Sequence, residues 1–74
     1  MTKWYVIDDM TSKAAVMYPT ACDSKEEALK KAEIDWNSLT DHDKARRDSF
    51  FVGLCEVDED GEVGDVIEIA KSFK

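Results

Sequence analysis

The sequence is poor in the residues that build metal sites, nucleotide sites and rigid loops. Its 74 residues include one histidine, one proline, two cysteines and three glycines. The sequence has no paired CxxC motif, no glycine-rich dinucleotide fingerprint and no phosphate-binding P-loop. A catalytic His42 would need Cys22 or Cys55 within hydrogen-bond reach, whereas its place in the first turn of a capped helical segment predicts an exposed side chain. These absences predict a non-enzymatic protein with no metal, no cofactor and no evident small-molecule substrate.

Long apolar runs are absent as well. No stretch approaches the ~18 apolar residues that would suggest a membrane span. The amino-terminal residues, 1–3, lead into a run interrupted by polar residues, which is unlike a secretion signal. Two cysteines are also fewer than small secreted domains usually carry. We therefore expect a cytoplasmic location, no membrane partner and two reduced thiols.

Positive charge is in the minority. The chain has 17 acidic and 10 basic residues, for a net charge of −7. Such a surface repels nucleic acid, so nucleic acid is an unfavoured partner. Two alternatives remain open. The acidic surface could act as a decoy that mimics nucleic acid, or, less favourably, Lys44, Arg46 and Arg47 beside two phenylalanines could contact a phosphate backbone.

A chain of this length predicts a single domain over residues 1–74. Ser24 to Leu39 is its clearest element, an amphipathic helix with Ser24 and Glu27 in a capping-box pattern. Its apolar arc consists of Ala28, Leu29, Ala32, Trp36 and Leu39, whereas Ile34 lies opposite. Thr40 predicts the cap of a second, short helical segment from Asp41 to Arg47 or Asp48.

Four runs have the composition of β-strands. They are Lys3–Ile7, Ala14–Tyr18, Ser49–Val57 and Glu62–Ala70, with residues 71–74 predicted as a tail. Asp58 to Gly61 is a turn, with Gly61 at the position of positive φ. Read as a calcium loop, the acidic stretch from Glu56 to Glu62 would place Ile67 where a glutamate ligand is needed, so a plain hairpin turn is predicted.

The predicted fold class is α+β with element order ββα(α)ββ. One long helix packs on one face of a four-stranded antiparallel sheet, and a short second helical segment follows it. Strand order is left open. Alternation predicts Cys55 in the core, and it predicts that Val63, Ile67 and Ile69 share one side of the last strand while Val66 lies opposite.

The strands carry more apolar residues than one covered face requires. We therefore expect the face away from the helix to stay uncovered and to act in binding a protein partner or a second copy of the chain. The candidate partner-binding residues are Trp4, Tyr5, Val52 and Leu54 on the strands and Ile34 on the helix.

The segment from Asp23 to Gly53 resembles small proteins of gut-type Firmicutes and their mobile elements. The resemblance is carried by Ala28, Ala32, Trp36, Leu39-Thr40, Arg46-Arg47 and Phe50-Phe51-Val52. It covers a third to a half of the chain and implies a bacterial or phage-borne accessory protein. Since those proteins have no assigned activity, the resemblance implies no functional residue here.

Overall fold

The structure is a computed structural model that describes residues 1–10 and 19–74. Its elements are β1 (Thr2–Met10), β2 (Thr20–Cys22), α1 (Lys25–Asn37), α2 (Asp41–Ala45), β3 (Arg47–Val57) and β4 (Val63–Ser72). Within the described residues the strands form one antiparallel sheet in the order β2-β1-β3-β4. The predicted α+β fold, with a four-stranded sheet, one long helix and one short helix, is confirmed.

Pairing between β1 and β3 forms the centre of the sheet. The register runs from Thr2 opposite Glu56 to Met10 opposite Arg47, with an irregularity only at the last step. Because successive strand residues point to opposite faces, this register places Val6 beside Val52 on one face and Ile7 beside Phe51 on the other. The face that carries Val6 and Val52 is called the helix face, and the face that carries Ile7 and Phe51 is called the reverse face.

Helix α1 covers the helix face through its small residues. Ala28 and Ala32 are fully buried, in one cluster with Val6, Phe50 and Val52. Short side chains let the helix backbone approach the strands closely, while larger side chains fill the margins of the contact. The larger, half-buried residues are Trp4, Leu29, Trp36, Leu39 and Phe73, and Ala70 packs against the same cluster.

Both predicted helix caps are present. The Ser24 hydroxyl accepts a hydrogen bond from the N–H of Glu27 at 3.1 Å, and the Glu27 carboxylate accepts one from the N–H of Asp23. Thr40 accepts from the N–H of Asp43 at 3.1 Å. These bonds satisfy backbone donors that the first turn leaves without a partner, and so they fix where each helix begins.

One strand of the sheet was not predicted from the sequence: besides β3, the described strand paired with β1 is Thr20–Cys22. The predicted strand Ala14–Tyr18 lies outside the described residues. Pro19 has no N–H to donate, so it suits the entrance to a strand better than its interior. A strand of three residues is too short to show an alternating pattern in the sequence.

The carboxyl-terminal residues do not form a free tail. Lys71 and Ser72 belong to β4, and the N–H of Phe73 donates to the carbonyl of Phe50 at 2.7 Å. The Phe73 ring lies edge-on to Phe50, with centroids 5.7 Å apart, and 6.2 Å from the ring of Trp36. Lys74 Nζ donates to the carbonyls of Lys44 and Ala45 at the end of α2.

Phe73 therefore closes one end of the core. We expect Phe73→Ala to lower the free energy of unfolding by about 2 kcal/mol, less than the 3–5 kcal/mol for a fully buried ring because Phe73 is half-buried. Urea denaturation followed by tryptophan fluorescence measures the loss. Phe73→Leu keeps apolar contact and should lower the free energy of unfolding by less. A urea midpoint of Phe73→Ala equal to that of the wild type would contradict the assigned packing.

Candidate functional site

The strand register gathers apolar side chains on the reverse face. Tyr5 and Ile7 come from β1, and Cys55 from β3; their exposed fractions are 5%, 9% and 0%. Phe51, Val57 and Val63 pack around them and are half-buried. The expectation of an uncovered reverse face is therefore wrong for its central part, which holds a second, smaller core.

Strand β4 is irregular along its pairing with β3. The part of β4 from Val63 to Ser72 pairs with the part of β3 from Phe51 to Val57. The β4 part is three residues longer, and one extra residue lies at each of the three register shifts. Bulges of this kind reverse the alternation of the residues that follow. As a result Val66 lies opposite Cys55 and Ile69 opposite Gly53, on the same face as Val63. The predicted separation of Val66 from Val63 and Ile69 is wrong for this reason.

The exposed apolar residues concentrate on β4. Val66, Ile67 and Ile69 are 40%, 53% and 57% exposed. Val66 and Ile69 belong to the reverse face, on the last strand of the described sheet order. The reverse face thus passes from a closed centre to an open apolar margin.

A groove crosses the reverse face between β2 and the start of β4. It has a volume of about 720 Å³. Tyr5 and Ile7 contribute from β1, with Pro19 and Ala21 on one side and Glu62 and Val63 on the other. Small-molecule sites commonly fall in the range of ~300–1,000 Å³ and are lined mainly by apolar groups. Its size and lining therefore suit an apolar side chain with its flanking backbone.

The turn beside this groove is strongly acidic and firmly shaped. Asp58 accepts hydrogen bonds through Oδ1 from the N–H groups of Asp60, at 3.0 Å, and Glu62, at 2.8 Å. Gly61 has φ 84°, as the sequence predicted, and its N–H donates to the carbonyl of Asp58. A residue with a Cβ would be strained at that φ. The turn consequently presents the carboxylates of Glu59, Asp60 and Glu62 to solvent.

The predicted partner-binding residues do not form one site. Val52 is fully buried beneath α1 and is not available to a partner, because its place in β3 faces the helix. Tyr5 is almost fully buried and takes part only through the floor of the groove. Trp4 and Leu54 are cross-strand neighbours on the helix face and line a separate depression of about 350 Å³. Ile34 is 58% exposed on the outer side of α1.

Sequence reasoning missed Ile7, Ala21 and Val63 as residues of the groove. Their apolar character was visible, but each belongs to a different strand. Only the register of those strands brings them together.

The basic residues near α2 are engaged within the chain. Arg47 donates to both carboxylate oxygens of Asp8, at 2.9 and 3.3 Å, and to the carbonyl of Asp43 at 3.2 Å. Both side chains of the ion pair are 10–15% exposed. Lys44 Nζ lies 5.2 Å from the ring centroid of Trp36. These contacts engage Arg47 and Lys44 with other parts of the fold.

No group of three or more His, Cys, Asp or Glu side chains in residues 1–10 and 19–74 is placed to hold a metal ion. His42 is exposed on α2. Nor does either helix of this described part have the length and apolarity needed to cross a membrane.

The two cysteines are buried and unpaired. Burial raises the pKa of the Cys55 thiol. Burial also raises the pKa of Cys22, and the negative charge of Glu27 adds to this. Cys55 is fully buried in the reverse-face core, as predicted. Both environments favour the neutral thiol, which is the less nucleophilic form.

We expect both thiols to resist alkylation by iodoacetamide in the folded protein and to react readily in urea, as measured by mass spectrometry. Because the thiol pKa is raised in the folded state, the neutral thiols stabilise the fold fully at pH values below the ordinary thiol pKa of about 8.5. This stabilisation is lost as the pH rises through the pKa values of the thiols in the folded protein. The free energy of unfolding should therefore fall in alkaline solution. Rapid labelling of the native protein would contradict the assigned burial.

Gly53 lets the reverse-face side chains close over the sheet. A Cβ at this position would lie 3.1 Å from Phe51 Cε2, 3.2 Å from Val66 Cγ1 and 3.3 Å from the carbonyl oxygen of Glu68. The two side chains thus fill the space that a larger residue would occupy. Because one of these neighbours is backbone, the contact cannot be relieved by a rotamer change alone.

We expect Gly53→Ala to lower the free energy of unfolding by about 1–2 kcal/mol, because the overpacking outweighs the gain from a more restricted unfolded chain. Gly64→Ala is the matched control, since its Cβ would meet only Glu56, at 3.6 Å or more. It should be neutral or slightly stabilising in urea denaturation. Equal effects of the two substitutions would contradict this packing.

In comparisons with protein-family models, curated proteins and solved structures, the chain gives no match.

Proposed function

We propose that the protein is a small, non-enzymatic interaction module that binds a protein partner through the groove on its reverse face. The observation that supports this most directly is the groove itself, which has a largely apolar lining and a volume suited to a side chain and its backbone. The open apolar margin formed by Val66 and Ile69 extends the same face.

The chemistry of the titratable groups supports a binding role over a catalytic one. The pKa values of Cys22 and Cys55 are raised, which is the direction away from reactive thiolate. Enzymes usually shift the pKa of a catalytic group toward its task within a cleft. Among the described residues, the groove instead combines aromatic, aliphatic and glycine residues with one carboxylate, Glu62.

Ala21 offers a way to block the groove without disturbing the core. It is exposed, lies opposite Tyr5 in the register and lines the groove. Ala21→Arg should place a long side chain across the opening and change stability by no more than about 0.5 kcal/mol, as is usual for exposed sites. Thr20→Arg is the matched control because Thr20 is exposed on the same strand, opposite Val6 of the helix face.

The test is affinity capture from bacterial extracts with purified wild-type protein and both variants, with quantitative mass spectrometry. At least one protein should be retained by the wild type and Thr20→Arg and depleted at least tenfold with Ala21→Arg. Equal melting temperatures of the two variants exclude unfolding as the cause. If no captured protein depends on Ala21, the reverse-face groove is not a protein-binding site.

A further inference from the structure

The groove and the acidic turn beside it together specify the chemistry of a partner. Among the described residues that line the groove, Glu62 is the one charged side chain. Its neighbours along the turn, Asp58, Glu59 and Asp60, are all exposed. The apolar floor and the acidic rim therefore meet at Glu62.

No ion pair among the described residues involves a carboxylate of this rim. The ion pairs found among these residues are Lys31–Asp35 and Arg47–Asp8, both away from the turn. The whole chain also carries a net charge of −7. Uncompensated charge of one sign beside an apolar groove attracts a ligand of opposite sign and orients it during encounter.

We infer that the groove binds an extended segment of a basic protein, with one apolar side chain seated against Tyr5, Ile7 and Val63 and flanking lysine or arginine residues against Glu62 and the acidic turn. This inference depends on the proposed function and adds the charge and the side-chain pattern of the partner. A long cationic side chain suits this position, because its aliphatic stem can cover apolar surface while its charged end stays in water.

A second copy of the chain fits the groove less well. It would carry the same net charge of −7 and bring a second set of acidic turn residues toward the first. Strand addition at the edge of β4 that no described strand covers is also disfavoured, since the three extra residues in β4 interrupt the regular spacing that another strand would need. Charge complementarity thus selects a basic partner over self-association.

The test is selection of a random heptapeptide phage library on the wild-type protein and on four variants. Ala21→Arg and Thr20→Arg probe the groove. Glu62→Lys and Glu33→Lys make the same change in net charge, the first at the rim and the second at an exposed position on α1. The enriched peptides are then synthesised, and their binding is measured by titration calorimetry at two salt concentrations.

We expect the selected peptides to carry a net positive charge and at least one aliphatic or aromatic residue. Ala21→Arg should weaken their binding at least tenfold. Glu62→Lys should weaken binding about two- to fivefold, as expected for an exposed charge pair, and more than Glu33→Lys does. Raising the ionic strength from roughly 0.01 M to 0.15 M shortens the screening length from about 30 Å to 8 Å and should weaken binding as well.

Other outcomes separate this inference from the proposed function. Neutral or acidic peptides that bind only when Ala21 is intact would overturn the inference while leaving the groove as a protein-binding site. Peptide binding unaffected by Ala21→Arg, or no enrichment on the wild type, would overturn it too. Sedimentation that shows a dimer lost in Ala21→Arg would replace the basic partner with a second copy. The affinity capture from bacterial extracts tests the proposed function whatever the charge of the selected peptides.

Discussion

Antiparallel pairing of β1 with β3 holds Val6 beside Val52 and Ile7 beside Phe51, and the other layers are arranged around that register. The side chains of one face meet Ala28 and Ala32, whose small size brings α1 against the sheet. Those of the other face meet one another and form a second core. A shift of the register by one residue would exchange the two faces, so a single pairing fixes both cores.

The reverse-face core shows how a short chain buries apolar surface with few residues. A chain of this size hides only about 60% of the surface exposed when it is unfolded. Here the Phe51 ring and a Val66 methyl group occupy the space above Gly53. Side chains that lean across a glycine thus fill part of this face. The remaining concavity, beside Ala21 and Val63, forms the groove.

Charge is distributed unevenly between these features. Arg47 bridges Asp8 and the end of α2, and the pair is largely shielded from water. Such a pair joins distant parts of the chain in one geometry. The acidic turn, by contrast, uses Asp58 to hold its own backbone and exposes its other carboxylates. The shielded Arg47–Asp8 pair thus serves the fold, while the exposed carboxylates of the turn give the groove an acidic rim.

Local signals in the sequence determined the elements that depend on neighbouring residues alone. Ser24 and Thr40 mark both helix starts, and Gly61 marks the turn, because a cap or a positive φ involves only a few consecutive residues. The α+β class followed from the same patterns.

Tertiary structure alone decided the strand order, the faces of β4 and the role of Phe73. The bulges in β4 arise from its pairing with β3, so the alternation read from the sequence assigned Val66 to the wrong side. Phe73 joins Trp36 and Phe50 only after the sheet and the helix have come together. The groove likewise requires residues from separate strands, and contacts between distant segments leave no periodic signal in the sequence that forms them.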